Sequence, residues 1–274
     1  MPGLNLEGVS KSFPTRGEPL VVLRNISLAL QSGENLAILG PSGSGKSTLL
    51  HLMGTLDTPT TGTITLGDEN PFTLDEPQLA HFRNRRIGFV FQNDAVFPWR
   101  SVRDNVAAGP MFRGQSKEQA HALADEWIRR VGLDKFGDHY PHQLSGGMRK
   151  RVALAQTLIL DPDIILMDEP FSALDIQTRQ LMENEVLDLW NAKKKAVLFI
   201  THDLDEAIAM SDRVIVLAAG PGTHPIGEFR IDLPRPRDVA EIRMHPRFVE
   251  LHQQIWDVLR DEVLKGYQQQ KRAA

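Results

Sequence analysis

The feature that most constrains this chain is the run Gly40-Pro41-Ser42-Gly43-Ser44-Gly45-Lys46-Ser47-Thr48. It fits the pattern G-x-x-x-x-G-K-[ST]. The apolar run 35–39 precedes it and a helical pattern over 46–53 follows, the strand–loop–helix setting that such a loop requires. Gly43 and Gly45 let the backbone curl until several N–H groups point into one concavity. That nest, with the helix N-terminus behind it, favours an anion. Lys46 brings a point charge suited to β- and γ-phosphates, and Ser47 a hydroxyl suited to Mg2+. The rival reading is a Gly/Ser turn that merely ends in Lys-Ser. Ordinary residue frequencies produce such a match by chance in a chain this long about one time in a hundred. The loop therefore implies a bound nucleotide, and it leaves the kind of nucleotidase open.

Short β-branched-rich runs bounded by Gly, Pro or Asp read as strands: 35–39, 87–91, 163–167, 196–201 and 213–217. Three of them are almost wholly apolar, as parallel strands covered on both faces must be. Helical patterns over 46–53, 119–131, 146–160, 176–191 and 204–210 alternate with them, which predicts an α/β fold on a parallel sheet. The segment from about 93 to 160 is mainly helical between two strand-like runs, and reads as a helical insertion. Residues 1–226 are expected to form the main domain and 227–274 a tail. In that tail, after the Pro/Arg-rich stretch 233–237, Phe248, Leu251, Ile255, Leu259 and Val263 share one helical face. The face is expected to pack on the core, with a regulatory or partner-binding surface as the alternative. The charge run Lys193–Lys195 reads as a solvated helix end.

Composition removes several function classes. Lys and Arg number 31 against 35 Asp and Glu, a net charge of −4, where a nucleic-acid surface needs a strongly basic face. With no cysteine there is neither a disulfide framework nor a thiolate nucleophile. The remaining histidines show no metal-ligand spacing. No apolar run approaches the roughly 20 residues of a membrane span. The first ten residues carry Glu7 and lack an apolar core, so no secretory leader is expected. Work at a membrane would then proceed from one side, through a partner.

The run Asp163-Ile164-Ile165-Leu166-Met167-Asp168-Glu169 supplies carboxylates. An apolar strand ending in Asp168 places that group at the carboxyl end of the sheet, where ligands of open α/β sheets collect. Asp168 is suited to holding Mg2+ through water, and Glu169 to accepting a proton from an attacking water. A polar turn after a strand is the plainer reading, and the phosphate loop in the same chain argues against it.

With these residues in place, the chain resembles the ABC (ATP-binding cassette) ATPases along most of its length. Leu144-Ser145-Gly146-Gly147-Met148 is similar to the signature that names the family, and it opens a helix whose N-terminus favours an anion. The resemblance implies ATP and Mg2+ as ligands and a P-loop core of mixed sheet flanked by helices, with a helical subdomain and an antiparallel β edge. It also implies a head-to-tail pair of subunits, each ATP lying between one subunit's phosphate loop and the other's signature. By the same resemblance Phe13 stacks on adenine, a core role being the alternative, and Gln92 touches Mg2+ or water and senses the transporter. Ser172-Ala173-Leu174-Asp175 reports across the dimer, and His202 contacts the γ-phosphate. Catalysis would fall to Glu169, His202 and Gln92, and the metal to Ser47, Gln92 and Asp168.

Phe97-Pro98-Trp99-Arg100, the stretch 170–175 and Gly220-Pro221-Gly222 are similar to importers of nitrate, sulfonates and taurine. That likeness implies a membrane permease and a periplasmic or lipid-anchored binding protein as partners. It also implies a place on the cytoplasmic face of the inner membrane. One departure is Arg149-Lys150-Arg151, where such proteins more often carry Gln before the final Arg. Lys150 is expected on an exposed helix face. The rival functions are an export motor, a soluble ABC ATPase acting on DNA or ribosomes, and a nucleotide-binding module without turnover. The second usually carries a coiled coil, zinc cysteines or two cassettes, and none is visible here. The intact Lys46, Asp168, Glu169 and His202 set argues against the third.

Overall fold

The computed structural model describes residues 2–93, 95–172 and 174–273, so Ala173 of the 172–175 stretch lies outside it. The centre is a six-stranded sheet in the order β5 (Ile87–Val90), β6 (Ile164–Asp168), β7 (Ala196–Ile200), β3 (Asn35–Leu39), β8 (Arg213–Leu217) and β9 (Pro225–Arg230). The first five run parallel, and β9 closes one edge antiparallel to β8. All five expected strands are present within a residue of their expected ends.

Side chains alternate across a strand, and here the two faces enter different cores. Ala37, Leu39, Ile165, Met167, Val197, Phe199, Val214 and Val216 point to one side. There they meet α3 (Val102–Phe112), α4 (Lys117–Arg130), α5 (Gly146–Leu158), α6 (Ile176–Lys193), α7 (Leu204–Met210) and α8 (Pro246–Ala273). Leu36, Ile38, Ile164, Leu166, Leu198, Ile200, Ile215 and Leu217 point to the other. That side is closed by α1 (Lys46–Met53), by Phe82 of α2 (Glu76–Arg86) and by a second sheet. A strand buried on both faces has no polar position to alternate with, which is why these strands read as continuous apolar runs.

The second sheet is antiparallel, in the order β2 (Leu20–Gln31), β1 (Pro2–Phe13), β4 (Thr61–Leu66). It is the antiparallel edge implied by the family likeness. Between β5 and β6 the chain leaves the sheet to form α3, α4 and α5. In the tail helix α8, Phe248, Leu251, Ile255 and Leu259 are buried as expected, while Val263 remains 40% exposed. Among the described residues, no helix is long and apolar enough to cross a membrane.

Candidate functional site

The register of the parallel strands aligns their carboxyl ends: Val90 pairs with Met167, Asp168 with Ile200, and Ile38 with Ile200. Every residue just past those ends is thereby delivered to one edge. Gly40 follows β3, Gln92 follows β5, Glu169 follows β6 and His202 follows β7. Gln92, Glu169 and His202 there line a cavity of about 710 Å³ together with Val22 and the loop residues Ser42 to Thr48.

The floor is the loop before α1. Gly43 and Gly45 take φ of 78° and 80°, the left-handed region that costs other L-residues about 1–2 kcal/mol. At Gly45 space is decisive as well, since a Cβ would lie 2.8 Å from Val22 Cγ1. Helix α1 has no side-chain cap and no acidic residue in its first turn. Its first N–H groups, which no helix pairs internally, therefore have no capping side chain either. Ser44 Oγ is buried without a partner among the described residues. Lys46 Nζ folds back to donate to Gly40 O at 2.8 Å and Pro41 O at 2.9 Å. Burial lowers the Lys46 pKa, with Glu169 and Asp168 opposing the shift by their charge. A nest of unpartnered N–H donors, an idle hydroxyl and one ammonium suit a polyphosphate.

The opposite wall is organised around Glu169. Gln92 Nε2 donates to Glu169 Oε2 at 3.1 Å, and His202 Nδ1 lies 3.3 Å from Glu169 Oε1. Glu169 has a φ of 44°, a strained conformation worth about 1–3 kcal/mol. Its N–H donates to Ile200 O at 3.0 Å, and its own carbonyl accepts from Ser172 Oγ at 3.0 Å. Both bonds hold the turn that aims the carboxylate into the cavity. Asp168 is buried at the end of β6 behind it. No group of three His, Asp or Glu residues with metal-binding geometry occurs among the described residues. The oxygens of Ser47, Asp168 and Gln92 nonetheless suit Mg2+, a hard ion that binds through one or two carboxylates, waters and substrate phosphates rather than a protein cage.

The remaining expected residues lie apart from the cavity lining. Gly40 and Pro41 sit behind the loop as acceptors for Lys46. Phe13, 38% exposed at the end of β1 with Lys11 Nζ 4.9 Å from its ring centre, is not a core residue. Ser145, Gly146 and Gly147 start α5, where Ser145 Oγ accepts from Met148 N at 3.3 Å. Asp175 caps α6, and the Thr178 N–H holds its carboxyl below the ordinary value.

One expectation fails. Lys150 is fully buried, and its Nζ donates to Phe91 O at 2.6 Å and Gln92 O at 2.9 Å. The sequence carried a signal: Lys150, Ala153, Leu154 and Thr157 recur at helical spacing, and all are buried. Reading the charge alone hid that register. Trp256, Leu259, Val263 and Gly266 of the tail share a second cavity with Pro41, Ser42 and His202; Leu259 and Val263 were visible as part of the tail's apolar face, while Val22, Trp256 and Gly266 carried no local signal.

Comparison with known proteins points to one family. The ABC transporter family model matches residues 23–172. The chain is 40% identical to the taurine import ATP-binding protein of Roseobacter denitrificans, covering 97% of this chain and 98% of the relative. It is 38% identical to the nitrate import ATP-binding protein of Synechocystis, covering 94% and 95%. A solved dimeric ATP-binding cassette in a post-hydrolysis state, bound to ADP and Pi, superposes with a TM-score of 0.79. That cassette is 34% identical, with 84% of this chain and all of that one covered.

Proposed function

This chain belongs to the ABC transporter family and is an ATPase of that family, and from that premise we propose that it is the motor subunit of an importer for a small anion such as nitrate, a sulfonate or taurine. The observation that carries the chemistry is the convergence of Gln92 and His202 on the Glu169 carboxylate, across one cavity from Lys46. ATP fits with its phosphates on the loop 42–48 and Lys46 beside the β- and γ-phosphates. Ser47, Asp168 and Gln92 would hold Mg2+, which supplies charge compensation for phosphate oxygens when bound. Glu169 accepts the proton of the attacking water, a contribution of about 10²–10⁴-fold. The Gln92 amide fixes the orientation of that carboxylate before water arrives, and His202 stands where it can reach the γ-phosphate.

Ser145, Gly146 and Gly147 lie outside this cavity, so their anion-seeking helix end has no nucleotide within its own chain. A head-to-tail second copy gives it one, with Asp175 and its neighbours at the seam and Phe13 against adenine. The dimeric state of the cassette similar to this chain supports that reading. Closure of the pair moves α3–α5, and the segment 92–100 passes the motion to a membrane permease, itself fed by a substrate-binding protein. The motor then sits at the cytoplasmic face of the membrane. Relatives that import taurine and nitrate stand at nearly equal identity, which suits a motor whose cargo is selected elsewhere.

The test is ATP turnover of the purified chain against Glu169→Gln, with light scattering in ATP and Mg2+. We expect turnover in the parent, and in the variant a loss of at least a hundredfold with an accumulated dimer. Equal turnover in both would remove Glu169 as the base.

A further inference from the structure

We propose that Lys150 is a positioning residue for hydrolysis, a clamp through which helix α5 sets the place of Gln92. The proposal rests on the reading of Gln92 and Glu169 given above, and it concerns a residue outside the cavity. Strand β5 is an edge strand whose last pairing to β6 is at Val90. Beyond Val90 the ladder no longer holds the chain, and Phe91 and Gln92 are the next two residues. Their carbonyls are the ones that Lys150 Nζ grips, at 2.6 and 2.9 Å. Two turns along the same helix face, the single hydroxyl hydrogen of Thr157 is shared between Phe89 O and its own helix's Ala153 O, each 3.1 Å from Oγ1. Helix α5 is thus stitched to β5 and continues the hold after the sheet has ended.

The chemistry of the side chain matters. An ammonium offers three donors and no acceptor, and charge-assisted bonds to carbonyls are shorter and stronger than neutral ones. Burying that charge carries a large desolvation cost that hydrogen bonds must offset. Methionine would fill a similar volume without the cost, and it would not supply the hold on the carbonyls of residues 91 and 92. The Gln92 backbone is the base from which its amide reaches Glu169 Oε2 at 3.1 Å. A contact chain therefore runs from Ser145 at the start of α5, through Lys150, to Gln92 and the carboxylate. In a head-to-tail pair those two ends serve different nucleotides, so Lys150 links the site that its chain completes to the site that its chain hydrolyses.

The experiment compares the full-length parent with Lys150→Met and Lys150→Gln. Amide hydrogen exchange over residues 91–100, the Kd of a fluorescent ATP analogue, and kcat and KM are measured. For Lys150→Met we expect exchange to rise at least tenfold, Kd to stay within threefold, and kcat to fall at least tenfold with KM nearly unchanged. Lys150→Gln, which restores N–H donors on a shorter stem, should recover about half of the loss on a logarithmic scale and leave a two- to fivefold residue. Parent-like exchange and kcat in Lys150→Met would overturn the proposal, as would a kcat loss matched by lost affinity that Gln does not rescue. Should Lys150→Met not fold, Lys150→Gln decides: a two- to fivefold rise in exchange supports the clamp, and parent-like exchange refutes it. Raised exchange in Lys150→Met beside a parent that does not hydrolyse ATP would sustain the clamp and sink the hydrolytic reading.

Discussion

Glu183, on α6, is fully buried, and neither carboxylate oxygen has a hydrogen-bond partner among the described residues. Burial pushes its pKa up to about 7 from 4.5, with Arg243 and Arg179 opposing the shift and Asp203 and Asp205 adding to it. Its neighbour Glu206 is raised well above its ordinary value, by burial first and then by the charge of Glu183. A pKa raised in the fold means stability that is complete below the unfolded value and is lost as pH climbs through the folded one. For Glu183 the window runs from 4.5 to about 7. Each unit is worth about 1.4 kcal/mol. Ionising Glu183 therefore costs the fold roughly 3 kcal/mol at about pH 8, against roughly 1 kcal/mol at about pH 5.5. Glu183→Gln removes the titration while keeping the shape. The stability difference, variant minus parent, should shift in the variant's favour by about 2 kcal/mol between those pH values. Urea melts at both, with the m-value checked for two-state behaviour, measure it. A difference that stays constant within about 0.5 kcal/mol would show that Glu183 does not titrate there, and would refute the reasoning.

Gly45→Ala meets both a forbidden φ and Val22 Cγ1 at 2.8 Å, so ATP-analogue affinity should fall at least tenfold, with about 1–3 kcal/mol of stability lost; parent-like binding would refute the account of the loop. Arg237 is buried with its guanidinium donating to the carbonyls of Ile208, Ala209, Ser211, Ile231 and Leu233, and burial lowers its pKa to about 10. Arg237→Met should destabilise the chain by about 3 kcal/mol through the carbonyls it strands, read as a lowered urea midpoint with an unchanged m-value; a midpoint equal to the parent's would refute it.

Local chemistry at the ends of buried strands is legible in the sequence. The phosphate loop is contiguous, so its glycines, Lys46 and Ser47 declare one another within nine residues. The strands 35–39, 87–90, 164–168, 196–200 and 213–217 are apolar but for Asn35, Asp168 and Arg213 at their ends, because both faces are covered, and that also is written locally. Gln92, Asp168, Glu169 and His202 each follow such a run, so their common edge was readable before their contacts were. Whatever depends on partners far along the chain is settled by the folded arrangement. The antiparallel sheet brings β4 to β1 across about fifty residues with irregular register, and its half-exposed strands resemble polar loops. Pro41 and His202 acquire the tail helix as a neighbour through contacts more than fifty residues distant. Glu183 and Glu206 look like ordinary surface acids, and Lys150 like a surface base, until packing buries them. A charge announces its solvation only through its surroundings, and those surroundings are assembled by the fold.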